Sequence, residues 1–391
     1  MNDVMTSKTR WLVLLVSTPL VFLVGVGGLL GSQASARQRS VTELLTFHEV
    51  LQLVLMAYVE EVNPDRIMDG AMRGLADSLD ASSAFLTADE VRAVHASEAP
   101  APADVGLTVT RQFGYLRILG VRDGSPAARA RLRTGDFIRM IDDVPARDIS
   151  AFAGMRRLRG APGSKVALVV FRNSAADPHT ITLVREASNA ARTSSRKLPG
   201  GDAYVRVASF GPDTAADLKQ AIASLGSAAN AGVILDVRGS ADGTPADGAQ
   251  AARLFIKSGT IATRAGRGDD RTVIAAESGD GALTMPVVLL VSTGTAHAAE
   301  VFAAALADAD RADLVGEPTA GLAGEQRLVR LPEGFGLWMT HARYLRADGK
   351  PIHEEGLDPD VATEPVIVEF GEEPAGDPAL DKAVERLKTK R

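Results

Sequence analysis

From Gly200 onward the chain alternates short, uninterrupted apolar runs with helix-length segments, and no other feature restricts its fold as strongly. Gly232-Val-Ile-Leu-Asp-Val237 and Pro286-Val-Val-Leu-Leu-Val291 read as buried strands. Between and after them lie helical stretches: Pro212-Asp213 opens one running to about Leu225, a small-residue loop from Gly239 to Gly248 leads into another through Phe255, and the Ser292 to His297 loop enters a third ending near Leu306. Strands alternating with helices give an α/β layer structure. Beyond it, Leu314-Val315, Arg327 to Leu331 and Gly336 to Thr340 are strand-rich, and Leu380, Val384 and Leu387 place one face of a C-terminal helix on the core or on a second copy.

A chain of 391 residues holds two to three domains. With 46% hydrophobic and 24% charged residues it is globular, and a net charge of −6 argues against a broad nucleic-acid-binding surface. The absence of cysteine excludes disulfides, thiolate metal sites and a cysteine nucleophile.

Near the N-terminus, Lys8 and Arg10 precede an uncharged run from Trp11 to Gly31, which at ~1.5 Å per residue matches the ~30 Å apolar core of a bilayer. Ala34-Ser35-Ala36 has the small-x-small form of a signal peptidase site, but the run is longer than the roughly 7 to 15 residues of a signal peptide. Residues 1–36 are therefore expected to be an uncleaved signal anchor, with a cleaved signal peptide as the alternative. The bulk of the chain is placed on the periplasmic or extracytoplasmic side of a bacterial inner membrane, or secreted if cleavage follows Ala36. Leu44, Phe47, Leu51, Leu55 and Tyr58 mark an amphipathic helix, Asn63-Pro64-Asp65 breaks it, and Arg66 to Leu79 forms a second helix, so residues 41–97 are assigned to a helical domain. The Glu98 to Asp104 stretch EAPAPAD is a linker.

A β-rich unit over residues 103–187 follows. Its run from Gly124-Ser-Pro-Ala-Ala to Gly135-Asp136-Phe-Ile138-Arg-Met-Ile141 resembles the signature of PDZ domains: Ser125-Pro126 starts a short helix, Gly135-Asp136 makes a turn, and Phe137 to Ile141 alternates as a strand. PDZ domains add an extended peptide to a sheet edge and hold its terminal carboxylate on backbone amides. The resemblance implies that Val105, Gly106, Leu107, Thr108 and Val109 form that loop and edge strand. Arg131 and Asp143 stand where the family usually has glycine. The plain alternative is a PDZ-like spacer.

The order of anchor, helical segment, PDZ unit and α/β core resembles the carboxyl-terminal processing proteases, family S41 of the serine peptidases. Local matches are Tyr58-Val59; Gly70-Ala-Met-Arg-Gly74-Leu75 with Ser78-Leu79-Asp80 and Phe85-Leu86; Leu235-Asp236-Val237-Arg238; Leu314-Val315-Gly316-Glu317; and Gly356-Leu-Asp358-Pro359-Asp360. The resemblance implies a multidomain α/β protein with a ClpP/crotonase-like core over residues 196–391. Family members use a serine nucleophile, a lysine base and a glutamine that orients the lysine. Here His297 stands three residues before Glu300, where the serine belongs; Leu322 occupies the lysine position, and Gln326 matches the glutamine. The oxyanion loop reads Gly239-Ser-Ala-Asp242-Gly243, with Ala298 following the nucleophile position and a carboxylate, Asp242, where glycine usually stands.

Acyl transfer needs a nucleophile and a base, and leucine accepts no proton. No lysine occurs between Lys257 and Lys350, so a shifted register restores none. The expected function is that of a pseudoprotease, a scaffold or regulator that binds polypeptide C-termini or partner proteins, including an active paralogue or further copies of itself, with no cofactor and no metal. The alternative is an active endopeptidase of envelope proteins with rearranged residues, in which His297 serves as base for Ser292, Ser240 or Thr295 and Glu300 orients it. His297 and Glu300 also share a helical face, but no third metal ligand has an identifiable spacing.

Overall fold

The computed structural model describes residues 42–95, 103–172, 177–187 and 192–390, so the run from Trp11 to Gly31 and the processing motif after it lie outside the described residues. Among the described residues no helix is long and apolar enough to cross a membrane. The chain divides into two compact units, residues 1–71 and 72–391.

Helix α1 covers residues 42–57. Helix α2, Pro64–Asp77, begins where Asn63 accepts hydrogen bonds from the Asp65 and Arg66 amides and Pro64 needs no donor, two residues earlier than the expected start. The short strand β1, Ala84–Leu86, follows, then helix α3, Ala88–His95. β1 does not stay with the helices: it pairs antiparallel with a strand of the α/β core, Ala84 opposite Trp338.

The PDZ unit is built from β2 (Leu107–Gln112), β3 (Tyr115–Val121), the short helix α4 (Pro126–Arg129), β4 (Phe137–Ile141), β5 (Val144–Pro145), helix α5 (Ala151–Leu158), β6 (Lys165–Phe171) and β7 (His179–Val184). Its sheet runs β2-β3-β4-β6-β7, with β5 beside β4, and β2 is an edge strand. Ser125 caps α4 through the Ala128 amide, and Asp136, buried at the start of β4, pairs with Arg172. Arg131 has φ of 60°, so it carries the backbone conformation for which glycine is favoured, at a cost of ~1 kcal/mol. Phe113 and Asp142 also have positive φ in this unit, whereas Asp143, the other position where glycine is usual, does not.

The core contributes β8 (Thr193–Lys197), β9 (Ala203–Val207), α6 (Thr214–Ser224), α7 (Ser227–Asn230), β10 (Val233–Asp236), α8 (Pro245–Ala252), β11 (Thr260–Gly266), β12 (Arg271–Ala275), β13 (Val287–Val291), α9 (Ala298–Asp308), β14 (Ala312–Gly316), β15 (Gly324–Arg330), β16 (Gly336–Leu345), β17 (Val361–Ala362) and α10 (Pro378–Thr389). One sheet runs β17-β14-β13-β10-β9-β8, parallel except where β8 meets β9, and the other runs β1-β16-β11-β12 with β15 on β16. All residues of β10 and β13 are buried. Val233, Leu235, Val287 and Leu289 face α6, α8 and α9, whereas Ile234, Val288 and Leu290 face Ala383 and Leu387 of α10. Apolar side chains on both faces are what a parallel strand covered by helices requires. The loops after β10 and β13 thus emerge together at the carboxyl edge of the sheet, where ligands of open α/β folds bind.

Candidate active-site cleft and peptide groove

His297 is the N-cap of α9, with φ of 52° and ψ of −115°, a conformation a non-glycine residue adopts only under constraint. The constraint comes from Glu300, at the third position of the helix and fully buried. Its carboxyl accepts hydrogen bonds from the Thr319 hydroxyl at 2.5 Å, the Gly321 amide at 2.6 Å, the Leu322 amide at 2.7 Å and the His297 backbone. The last is the half of a capping box in which the helix carboxylate reaches back to the N-cap amide. His297 supplies no side-chain cap in return. Burial outweighs these donors and pushes the Glu300 carboxyl up to about 7.

By clamping the loop at residues 319–322 to the first turn of α9, Glu300 brings positions 297 and 322 together, and the His297 ring is hydrogen-bonded to the Leu322 backbone. Burial lowers the imidazole's proton affinity, opposed in part by the nearby Asp242 carboxylate, so the ring is neutral at neutral pH. The Leu322 side chain closes the cleft: it forms an apolar cluster with Leu119 of the PDZ strand β3, Ala241 of the oxyanion loop and Ala296, flanked by Ala81 and Ala320. Ala298, whose amide follows the nucleophile position, is buried, and its carbonyl lies against Gly248 of α8, where any Cβ would sit 1.9 Å from that oxygen.

The other expected partners are not assembled around His297. Gln326 lies on β15 and donates to the Thr340 hydroxyl at 3.2 Å. Thr295 donates to the Val237 carbonyl, Ser292 accepts from the Gly239 and Gly294 amides, and the buried Ser240 hydroxyl has no hydrogen-bond partner. Both Glu300 oxygens are taken by the 319–322 loop, so the arrangement with Glu300 orienting His297 toward a hydroxyl is not formed. Asp242 accepts from the Thr108 hydroxyl of the PDZ edge strand at 3.0 Å, joining the two domains, and its charge is felt by the His297 ring. Gly243 has φ of 94° and packs on Phe210. Among the described residues no group of three or more histidines, aspartates or glutamates is placed to hold a metal ion.

Sequence reading missed one nearby pair. His353, almost fully buried, lies 3.6 Å from Asp80, whose carboxyl is held well below the usual range by hydrogen bonds from His353, Thr340, Ser82 and Ser83 despite its partial burial. The Ser78-Leu79-Asp80 match marked the position and could not show its partner, about 270 residues away.

The stretch expected to bind peptide is continuous: Val105 and Gly106 lead into β2, Leu107, Thr108 and Val109 lie on that edge strand, and Gly106, Leu107 and Thr108 with Met155 and Leu158 of α5 bound a cavity of about 380 Å³ that core residues Arg192, Ser209 and Asp242 close from the far side. Gly106 has φ of 79°, and a Cβ there would collide with Ser125, so this turn requires glycine.

Two sequence-family profiles match, Peptidase family S41 at residues 202–363 and PDZ domain at residues 117–172. The C-terminal processing peptidase, chloroplastic, of Tetradesmus obliquus is 30% identical over 317 residues, spanning 77% of this chain and 68% of that protein. This chain belongs to the carboxyl-terminal processing protease family. Carboxy-terminal processing protease CtpA of Bacillus subtilis is 27% identical over 346 residues, covering 88% of this family member and 73% of the relative. The solved structure of a photosystem II D1 C-terminal processing protease superposes with a TM-score of 0.67 at 27% identity, covering 84% of this chain and 95% of that one.

Proposed function

We propose that this family member is a pseudoprotease that binds polypeptide C-termini through its PDZ groove, as scaffold or regulator, at the cell envelope, where the Trp11 to Gly31 run tethers it. One observation carries the reading: the position of the catalytic base is a leucine whose side chain is packed under PDZ residue Leu119 and beside Ala241 and Ala296. No proton acceptor can act from there, and a lysine would have to be neutral to stay. His297 offers a neutral imidazole, but its ring is engaged by the Leu322 backbone and no hydroxyl of the cleft is hydrogen-bonded to it. Losing the serine of a comparable catalytic triad alone costs ~10⁶ in turnover, about 8 kcal/mol of barrier. Recognition has no such requirement, because the edge strand and its glycine turn are present.

The test mixes the purified protein with unfolded polypeptides of varied C-termini and follows cleavage and binding together. Saturable binding of free C-termini without turnover is expected. Cleavage that disappears in His297→Ala would establish the rearranged endopeptidase instead.

A further inference from the structure

We infer that the PDZ groove rests in a self-occupied state, with the Asp104 carboxylate standing in for a ligand's terminal carboxylate and the Met155 sulfur standing in for a ligand's backbone carbonyl. The inference rests on the proposed reading that the groove takes polypeptide C-termini.

An edge-strand groove presents two kinds of donor to an incoming peptide. Amides of the glycine turn meet the terminal carboxylate, and outward amides of the strand meet peptide carbonyls. In this chain the first kind is represented by Gly106, whose N–H donates to Asp104 Oδ1 at 2.7 Å. The guanidinium of Arg122 lies on both oxygens of the same carboxylate, so Asp104 sits between a backbone amide and an arginine, the surroundings that suit a peptide's terminal carboxylate. The second kind is represented by Val109 on β2, whose N–H donates to Met155 Sδ of α5 at 3.4 Å. Gly106 lines the cavity of about 380 Å³ together with Asp104, Arg122 and Met155, and the Val109 amide reaches its edge through the Met155 sulfur.

A buried or half-buried N–H left without an acceptor is costly, so an empty groove gains by supplying its own. A thioether is a weak acceptor and a flexible side chain, readily displaced by a carbonyl. The Asp104 carboxylate is charged and chelated, so it is the stronger competitor. A bound C-terminus must take over both Gly106 N–H and Arg122, and until Asp104 has left, two carboxylates contend for one cationic pocket. The ligand is therefore the free-acid end of a polypeptide, and its affinity is set by an exchange of carboxylates rather than by filling an open site.

Asp104 can be altered without unravelling the strand, because its backbone N–H and C=O are both bonded to Glu186. The experiment measures binding of the full chain to a panel of fluorescent nonapeptides, each prepared as free acid and as C-terminal amide, for the wild type, Asp104→Ala, Asp104→Asn and Met155→Leu. Thermal melts confirm folding of each variant. The expected result is tighter binding of free acids by Asp104→Ala, at least tenfold, a smaller gain for Asp104→Asn, which keeps the oxygen and loses the charge, and a gain of a fewfold for Met155→Leu, with amides bound weakly throughout. Free acids bound equally or less well by both folded Asp104 variants would overturn the self-occupied groove while leaving C-terminal recognition intact. No binding of any free acid by wild type or variants would overturn that recognition itself, and the inference with it.

Discussion

At the scale of single residues, the cleft holds two buried titratable groups whose stability effects run in opposite directions. Glu300, pushed up to about 7 from an ordinary value near 4.5, binds more protons folded than unfolded between those values. It therefore contributes stability that is complete at low pH and lost as pH rises through about 7. His297, lowered from 6.5 by burial, takes up its proton more readily in the unfolded chain, so its contribution is complete above that value and lost on acidification below it. Denaturant melts of the wild type and Glu300→Gln across pH 4.5 to 8 should show the wild type losing ground relative to the variant as pH rises. For His297→Ala the wild type should instead gain relative to the variant over the pH range up to about 6.5. A flat difference in either series removes the corresponding assignment. Leu322 belongs to the same neighbourhood but does not titrate. Only 7% exposed and packed on Leu119, Ala241 and Ala296, it should cost about 2–4 kcal/mol when cut to alanine, read as a shifted denaturation midpoint at unchanged slope.

At the scale of elements, α8 and α9 meet where Gly248 lies under the Ala298 carbonyl, with no room for a methyl group. Gly248→Ala should destabilise the core by at least about 1–3 kcal/mol, checked by thermal unfolding, whereas Gly74→Ala, in helix α2 with nothing crowding the site, should be neutral or stabilising. Elements of this kind separate what sequence reading could see from what it could not. The strands Val233–Asp236 and Val287–Val291 were legible because burial on both faces leaves a continuous apolar run, and α4 because Ser125-Pro126 is a local start signal. His297 and Leu322 were legible as neighbours only through the family pattern. By contrast, β1 is three residues long and finds its partner about 250 residues later at Trp338, so nothing local announces that it joins the core. The Asp80–His353 pair, the Thr108–Asp242 bond and the cover of Leu119 over Leu322 are likewise meetings of side chains far apart in the chain. The spacing of Glu300 from His297 suggests an orienting acid, whereas its clamp on residues 319–322 depends on where that loop returns.

At the scale of the larger unit, residues 72–391, the question is what seats the PDZ domain on the cleft. Two backbone contacts leave no space for adjustment: a Cβ on Gly120 of β3 would lie 2.4 Å from the Gly239 carbonyl, and one on Gly294 would lie 2.0 Å from the Leu119 carbonyl. On another side of the PDZ domain, the segment between β17 and α10 passes over arginines that take its backbone carbonyls. Arg172 donates to Glu369 at 3.1 Å, Arg133 to Glu372 at 2.5 Å and Arg131 to Gly371, while Phe370 stacks on His179 with ring centroids 4.2 Å apart and packs against the PDZ core. The segment is anchored beyond the PDZ domain by Asp377, which caps α10 and pairs with Arg238 at the end of β10. PDZ domain and core are thus held through the cleft and through this strap, with Phe152 of α5 packing on Trp338 of β16 as a further contact, and each adds to a single cooperative unit. Calorimetry of the wild type should give one transition for the two. Gly120→Ala, which forces the cleft contact apart, combined with Phe370→Ala, which empties the strap's only aromatic anchor, should split it in two and expose the PDZ boundaries to limited proteolysis, with each single variant intermediate. Gly120 is buried on β3 and Phe370 packs against the PDZ core, so far-UV circular dichroism of each variant checks that the PDZ sheet is retained. A single transition at the wild-type temperature in the double variant would mean that the PDZ domain is seated by neither contact.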